Sequence, residues 1–211
     1  DSSLIAGGIY NTSPNKTLLW IIKLDKQGNK YWEKNFAFSN IVNIYQNSCW
    51  FQNKILISGG WFNHWGPSPF GKEYYTPFIL ELDTAGNTIL HKDFTDPVIS
   101  GRLQMYKFNE EKLLVAGLSD SLADNSDFGV FIGMLDKNLN FIWRKHYADT
   151  IGYNPFVLKP LHDGNFLVVG GRYDLGHNYY CGMIDKYDSN GVMLWHRLYY
   201  KRENTENYLA D

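Results

Sequence analysis

"FILELDTAGNTILHKDF", residues 78–94, sets two runs of strand-forming residues on either side of an Asp-Thr-Ala-Gly interruption. An aspartate at the start of a tight turn can accept backbone N–H groups with its carboxylate, and glycine tolerates the positive φ that the returning strand requires. The stretch therefore reads as a β-hairpin, with Asp83 and Gly86 as turn formers and Leu90 seven residues beyond the aspartate.

The same pattern recurs. "WIIKLDKQGNKYWEKNF" (20–36), "FIGMLDKNLNFIWRKHY" (131–147) and "GMIDKYDSNGVMLWHRLY" (182–199) carry Asp25, Asp136 and Asp188, so the four hairpin aspartates follow one another at 58, 53 and 52 residues. Seven residues after each stands Trp32, Leu90, Trp143 or Trp195. A short β-rich run closing on glycine or a small residue precedes every hairpin: "LIAGG", "LISGG", "LVAGL" and "LVVGG". A constant inner spacing on a variable outer period describes a fixed unit joined by loops of adjustable length. Recurrence once per repeat also argues that these aspartates form turns and do not catalyse.

Units of about fifty residues with four strands each predict an all-β chain, a β-propeller of four-stranded antiparallel blades. The repeats fall at approximately 1–38, 39–96, 97–148 and 149–200 of a single 1–211 domain, with 201–211 starting or closing a blade. In the fourth repeat the strands are predicted over 153–161, 165–172, 179–188 and 192–200. Four visible repeats make either a closed four-bladed ring or part of a larger propeller. Gly28 and Gly191 are the expected equivalents of Gly86, while in the third turn Asn138 and Asn140 flank Leu139, so an asparagine is expected in the left-handed position. The fourth-strand tryptophans are expected between blades.

Composition narrows the function classes. Basic and acidic residues number 20 and 22 in 211, which gives no footprint for nucleic acid. Aromatic residues make up 17% of the chain, and such side chains favour the pleated surface of a sheet. The two cysteines, Cys49 and Cys181, match no zinc, redox or haem spacing and read as buried apolar residues. No apolar run reaches the ~20 residues of a membrane-spanning helix, and "DSSLIAGG" lacks the charged region and cleavage site of a secretory signal.

The repeat "LVVGG…DKYDSNGVMLWHRLY" resembles the propeller repeats of secreted and cell-surface proteins of Bacteroidota, many of them exported by the type IX secretion system. The resemblance spans nearly the whole chain in four copies. It implies an extracytoplasmic protein of the periplasm, outer-membrane surface or exterior, often a module of a longer chain. A weaker similarity links the repeats to quinoprotein propellers, whose members use a calcium-bound quinone and commonly a vicinal disulfide. The sequence carries no adjacent cysteine pair, so that activity is not expected.

Blade-by-blade comparison locates the candidate binding residues. From the last small residue of the second strand to the hairpin aspartate the distance is 17, 23, 19 and 17 residues, which marks "SGGWFNHWGPSPFGKEYY" (58–75) as an insertion in the second repeat. It holds Trp61, Phe62, His64, Trp65, Phe70, Tyr74 and Tyr75, aromatic groups suited either to a protein partner or sugar, or to packing over their own blade. The equivalent connection of the fourth repeat offers Arg172, Asp174 and His177. That of the third, from Asp120 through Asp124 and Asn125 to Asp127, is rich in oxygen but lacks the spacing of the twelve-residue calcium loop. No nucleophile elbow, metal-ligand spacing or phosphate loop is present, so neither a catalytic residue nor a metal or other cofactor is expected. These readings favour a noncatalytic exported propeller that docks on an envelope or cell-surface protein. A glycan-binding or glycan-cleaving propeller is the alternative.

Overall fold

The structure is a computed structural model that describes residues 3–13, 16–38, 43–65, 73–95, 99–120, 128–147, 154–174 and 179–200. Every regular element among them is a strand: β1 (Leu4–Ser13), β2 (Lys16–Leu24), β3 (Lys30–Phe36), β4 (Asn43–Phe51), β5 (Lys54–Trp65), β6 (Glu73–Leu82), β7 (Thr88–Asp93), β8 (Ile99–Lys107), β9 (Lys112–Asp120), β10 (Phe128–Asp136), β11 (Phe141–Tyr147), β12 (Asn154–Pro160), β13 (Phe166–Asp174), β14 (Tyr179–Tyr187) and β15 (Met193–Tyr199). They form four antiparallel meanders, β1-β2-β3, β4-β5-β6-β7, β8-β9-β10-β11 and β12-β13-β14-β15. The first has three strands and the others four, one sheet per sequence repeat. Residues 201–211, where a further first strand is expected, lie outside the described residues. No helix among the described residues is long and apolar enough to cross a membrane.

The turns follow from their aspartates. Asp83 Oδ1 accepts the backbone N–H of Ala85 at 2.9 Å and of Asn87 at 2.8 Å, and the Gly86 N–H closes on the Asp83 carbonyl at 3.0 Å. Asp25, Asp136 and Asp188 repeat both carboxylate contacts, to Gln27 and Asn29, Asn138 and Asn140, and Asn190 and Val192. These hydrogen bonds hold the carboxyls of Asp25 and Asp83 below the usual range, the Asn29 side chain leading at Asp25 and the Asn87 backbone N–H at Asp83.

The third turn departs from expectation. Leu139, not an asparagine, takes the left-handed position, with φ 62°. The carboxylate of Asp136 fixes which residue of the loop must turn back, and asparagines one place either side cannot substitute for it. Burial of the Leu139 side chain offsets the strain.

A further turn joins β12 to β13, where Asp163 receives the Lys186 ammonium at 2.8 Å. That contact, helped by Asn165, lowers the Asp163 pKa to about 2 from 3.8. Because the folded value is depressed, the contribution to stability is fully present above pH 3.8 and is lost as pH falls through about 2. Lys186→Met is expected to bring the Asp163 titration back toward 3.8, read by carboxyl-carbon NMR.

The chain divides into two compact units, residues 1–96 with Ser100–Met105, and residues 97–99 with 106–211. In the amino-terminal unit Leu19 and Ile21 of the first sheet pack against Ile55, Ile57, Phe78, Leu80 and Leu82 of the second. All seven are fully buried, and each contributes about 1.5–3 kcal/mol by leaving water. In the carboxy-terminal unit Val130, Ile132 and Met134 of the third sheet pack with Phe166, Val168, Met183 and Tyr187 of the fourth.

Each unit closes a seam of the same kind. The Trp32 indole N–H donates to the Thr84 carbonyl at 3.0 Å, its ring covers Gly86, and Lys34 Nζ reaches Asn87 Oδ1 at 2.9 Å. Likewise the Trp143 indole donates to the Ser189 carbonyl at 2.9 Å and covers Gly191, whose carbonyl accepts from Lys145 Nζ and the Tyr147 hydroxyl, each at 2.9 Å. The recurring glycine thus has two jobs, supplying the positive φ and leaving the space that the neighbouring tryptophan fills.

Candidate functional site

The second sheet carries the longest extension. β4 pairs with β5 as far as the rung Asn43–Trp61, and β7 pairs with β6 as far as Phe78–Asp93. Beyond them β5 and β6 continue alone through the rungs Phe62–Tyr75, His64–Tyr74 and Trp65–Glu73, with a bulge at residue 63. The insertion recognised in the sequence is therefore a two-stranded ribbon whose tip, 66–72, lies outside the described residues together with Phe70.

Its base is held by its own sheet. The Trp61 indole donates to Asp93 Oδ1 at 2.9 Å, and the ring packs on the apolar cluster shared by the first two sheets. Phe62 is buried and meets Tyr75 edge to face, with ring centroids 5.7 Å apart. Trp61 and Phe62 therefore anchor the ribbon, while the backbone places His64, Trp65 and Tyr74 on its outer rungs.

The equivalent connections of the other repeats also join second to third strands. Arg172 and Asp174 end β13 on rungs with Cys181 and Tyr179, and His177 lies outside the described residues. Asp120 ends β9 opposite Phe128, and Asp124, Asn125 and Asp127 lie outside as well. The second-repeat ribbon belongs to the amino-terminal unit and these two connections to the carboxy-terminal one.

No group of three or more His, Cys, Asp or Glu side chains among the described residues is placed to hold a metal ion. Cys181 is buried and Cys49 half-buried, and neither forms a disulfide.

The first sheet holds a place that the sequence reading did not single out. A hollow of about 550 Å³ is lined by Ile9, Tyr10, Trp20, Glu33 and Asn35. Both oxygens of Glu33 are engaged there, one by the Trp20 indole at 2.8 Å and the other by Lys30 at 2.7 Å. The Lys30 contact first, then the indole, holds the Glu33 carboxyl below its usual range. A carboxyl so held is ionised at neutral pH, the opposite of what a general acid for glycoside cleavage requires. The chain matches no protein-family profile, and no curated protein matches it.

Proposed function

We propose that this chain is a noncatalytic protein-docking module, built as a β-propeller of four-stranded blades and working outside the cytoplasm on an envelope or cell-surface partner. The observation that carries the reading is the β5-β6 ribbon. It runs past both flanking strands, is pinned at its base by Trp61 and Phe62, and sets His64, Trp65 and Tyr74 on the rungs beyond. An anchored aromatic element offers contact area at low cost in side-chain freedom, which suits a protein hot spot. The resemblance of the repeat to exported propellers supports the location.

The test is an affinity capture from detergent-solubilised envelope of the source organism, read by mass spectrometry, with Trp65→Ala beside the unaltered chain. A stoichiometric protein is expected with the unaltered chain, with affinity falling about tenfold or more in the variant while the melting temperature holds. Capture of no protein above control, with saturable binding of an oligosaccharide instead, would replace this reading by the glycan one.

A further inference from the structure

The hydrogen-bond registers make the faces of the first, second and fourth sheets comparable rung by rung. In the second sheet the rungs Ile55–Leu82, Ile57–Leu80–His91 and Gly59–Phe78–Asp93 face the first sheet, and their five large apolar side chains are 0% exposed. The same rungs of the first sheet are Leu4–Leu24, Ala6–Ile22–Glu33 and Gly8–Trp20–Asn35. There Leu4 is 56% exposed, Ala6 is exposed and Trp20, Ile22 and Leu24 are half-buried. This apolar face is a seam half more exposed than its counterpart in the second sheet.

The fourth sheet carries the complementary half. Trp195 occupies the rung with Lys186, as Trp32 does with Lys23 and Trp143 with Met134. Yet Trp195 is 37% exposed, and among the described residues no carbonyl accepts from its indole. Leu167, Val169 and Ile184 on the same face are half-buried. Arg197 stands where Lys34 and Lys145 stand in the two formed seams, with its guanidinium 5.9 Å from the Trp195 ring. The matching turn belongs to the first sheet: a Cβ on Gly28 would meet nothing within 4 Å, whereas one on Gly86 or Gly191 would meet a tryptophan ring.

We propose that these halves join between two copies of this chain, the outer face of the fourth sheet in one copy packing on the outer face of the first sheet in the next. Trp195 of one copy lies over Gly28 of the other, its indole N–H donates to the Lys26 carbonyl, and Arg197 donates to the Asn29 side chain. Those are the contacts of Trp32 with Gly86 and Thr84, and of Lys34 with Asn87. The contact is head-to-tail, so each copy offers both halves. This surface is separate from the β5-β6 ribbon, so its failure and that of the docking reading are distinguishable.

Light scattering of the eluting full-length chain over a concentration series tests it. The expected species has at least twice the 24.5 kDa chain mass. Trp195→Ala and Ile22→Lys, on opposite halves, each return it to one chain mass with an unchanged β-sheet circular dichroism spectrum. An equal mixture of the two variants regains a two-chain species, because Trp195 of the second still fits the first-sheet face of the first. A single-chain mass for the unaltered protein at every concentration would overturn the proposal. So would an oligomer indifferent to both substitutions, or a mixture that stays single-chain at the highest concentration.

Discussion

Asp185→Ala is expected to destabilise the carboxy-terminal unit by about 3–5 kcal/mol, measured as a fall in the urea midpoint at constant slope. Asp185 is fully buried on the rung Val168–Asp185–His196, at the place where the second sheet sets Leu80. Its carboxylate is met by His196 Nδ1 and by the Tyr187 hydroxyl at 3.3 Å, inside a cluster of Met183, Phe166 and Val168. The same charge, beneath the leading effect of burial, pushes the Tyr147 phenol above its ordinary value. Truncation removes the partner of groups that stay buried and leaves a void, and both losses act in one direction. Replacing the carboxylate and its ring partner by apolar side chains, Asp185→Leu with His196→Leu, is expected to fall within about 1 kcal/mol of the unaltered chain. A double variant as unstable as Asp185→Ala would show that the shape of the pair, not its charge, holds the seam.

Gly191→Ala is expected to cost about 3 kcal/mol, against about 1 for Gly164→Ala. Both glycines have positive φ, 71° and 78°, so the conformational strain on an alanine is shared. They differ in surroundings: a Cβ at Gly191 would stand 2.7 Å from the Trp143 ring, while at Gly164 nothing lies within 4 Å. The ring must move, and with it go the indole bond to Ser189 and the packing of Trp143 on Phe166. Adding Trp143→Ala to Gly191→Ala separates the two effects, since without the ring the glycine substitution costs only its φ strain. Thermal unfolding of the single and double variants supplies the cycle. Equal costs for Gly191→Ala with and without the ring would place its effect in the turn alone.

How far the sequence could be read depended on the range of the interactions involved. The hairpins were legible because an aspartate, the two N–H groups it accepts and the left-handed residue all lie within five positions. The strands of the fourth repeat were legible for the same reason, and Asn154–Pro160, Phe166–Asp174, Tyr179–Tyr187 and Met193–Tyr199 fall where composition and turn signals set them. The candidate ribbon was visible as a length anomaly. Its division of labour was not, because the Trp61 bond to Asp93 joins residues 32 positions apart on different strands.

Local chemistry thus determined four all-β repeats, their turns and the residue seven places past each aspartate. Leu139 limits even that, since the aspartate's geometry and not the residue's own preference chose which side chain turned back. Only the tertiary structure decided what each repeated position became. Trp32, Trp143 and Trp195 share one motif and one register, yet the first two close a seam over Gly86 and Gly191, while Trp195 remains open. Asp185 and Leu80 occupy equivalent rungs of different sheets, but the first required a buried polar partner and the second joined an apolar cluster. A strand's register is set by its nearest hairpin, whereas burial is set by whether another sheet lies over it, which the sequence of a single repeat does not encode.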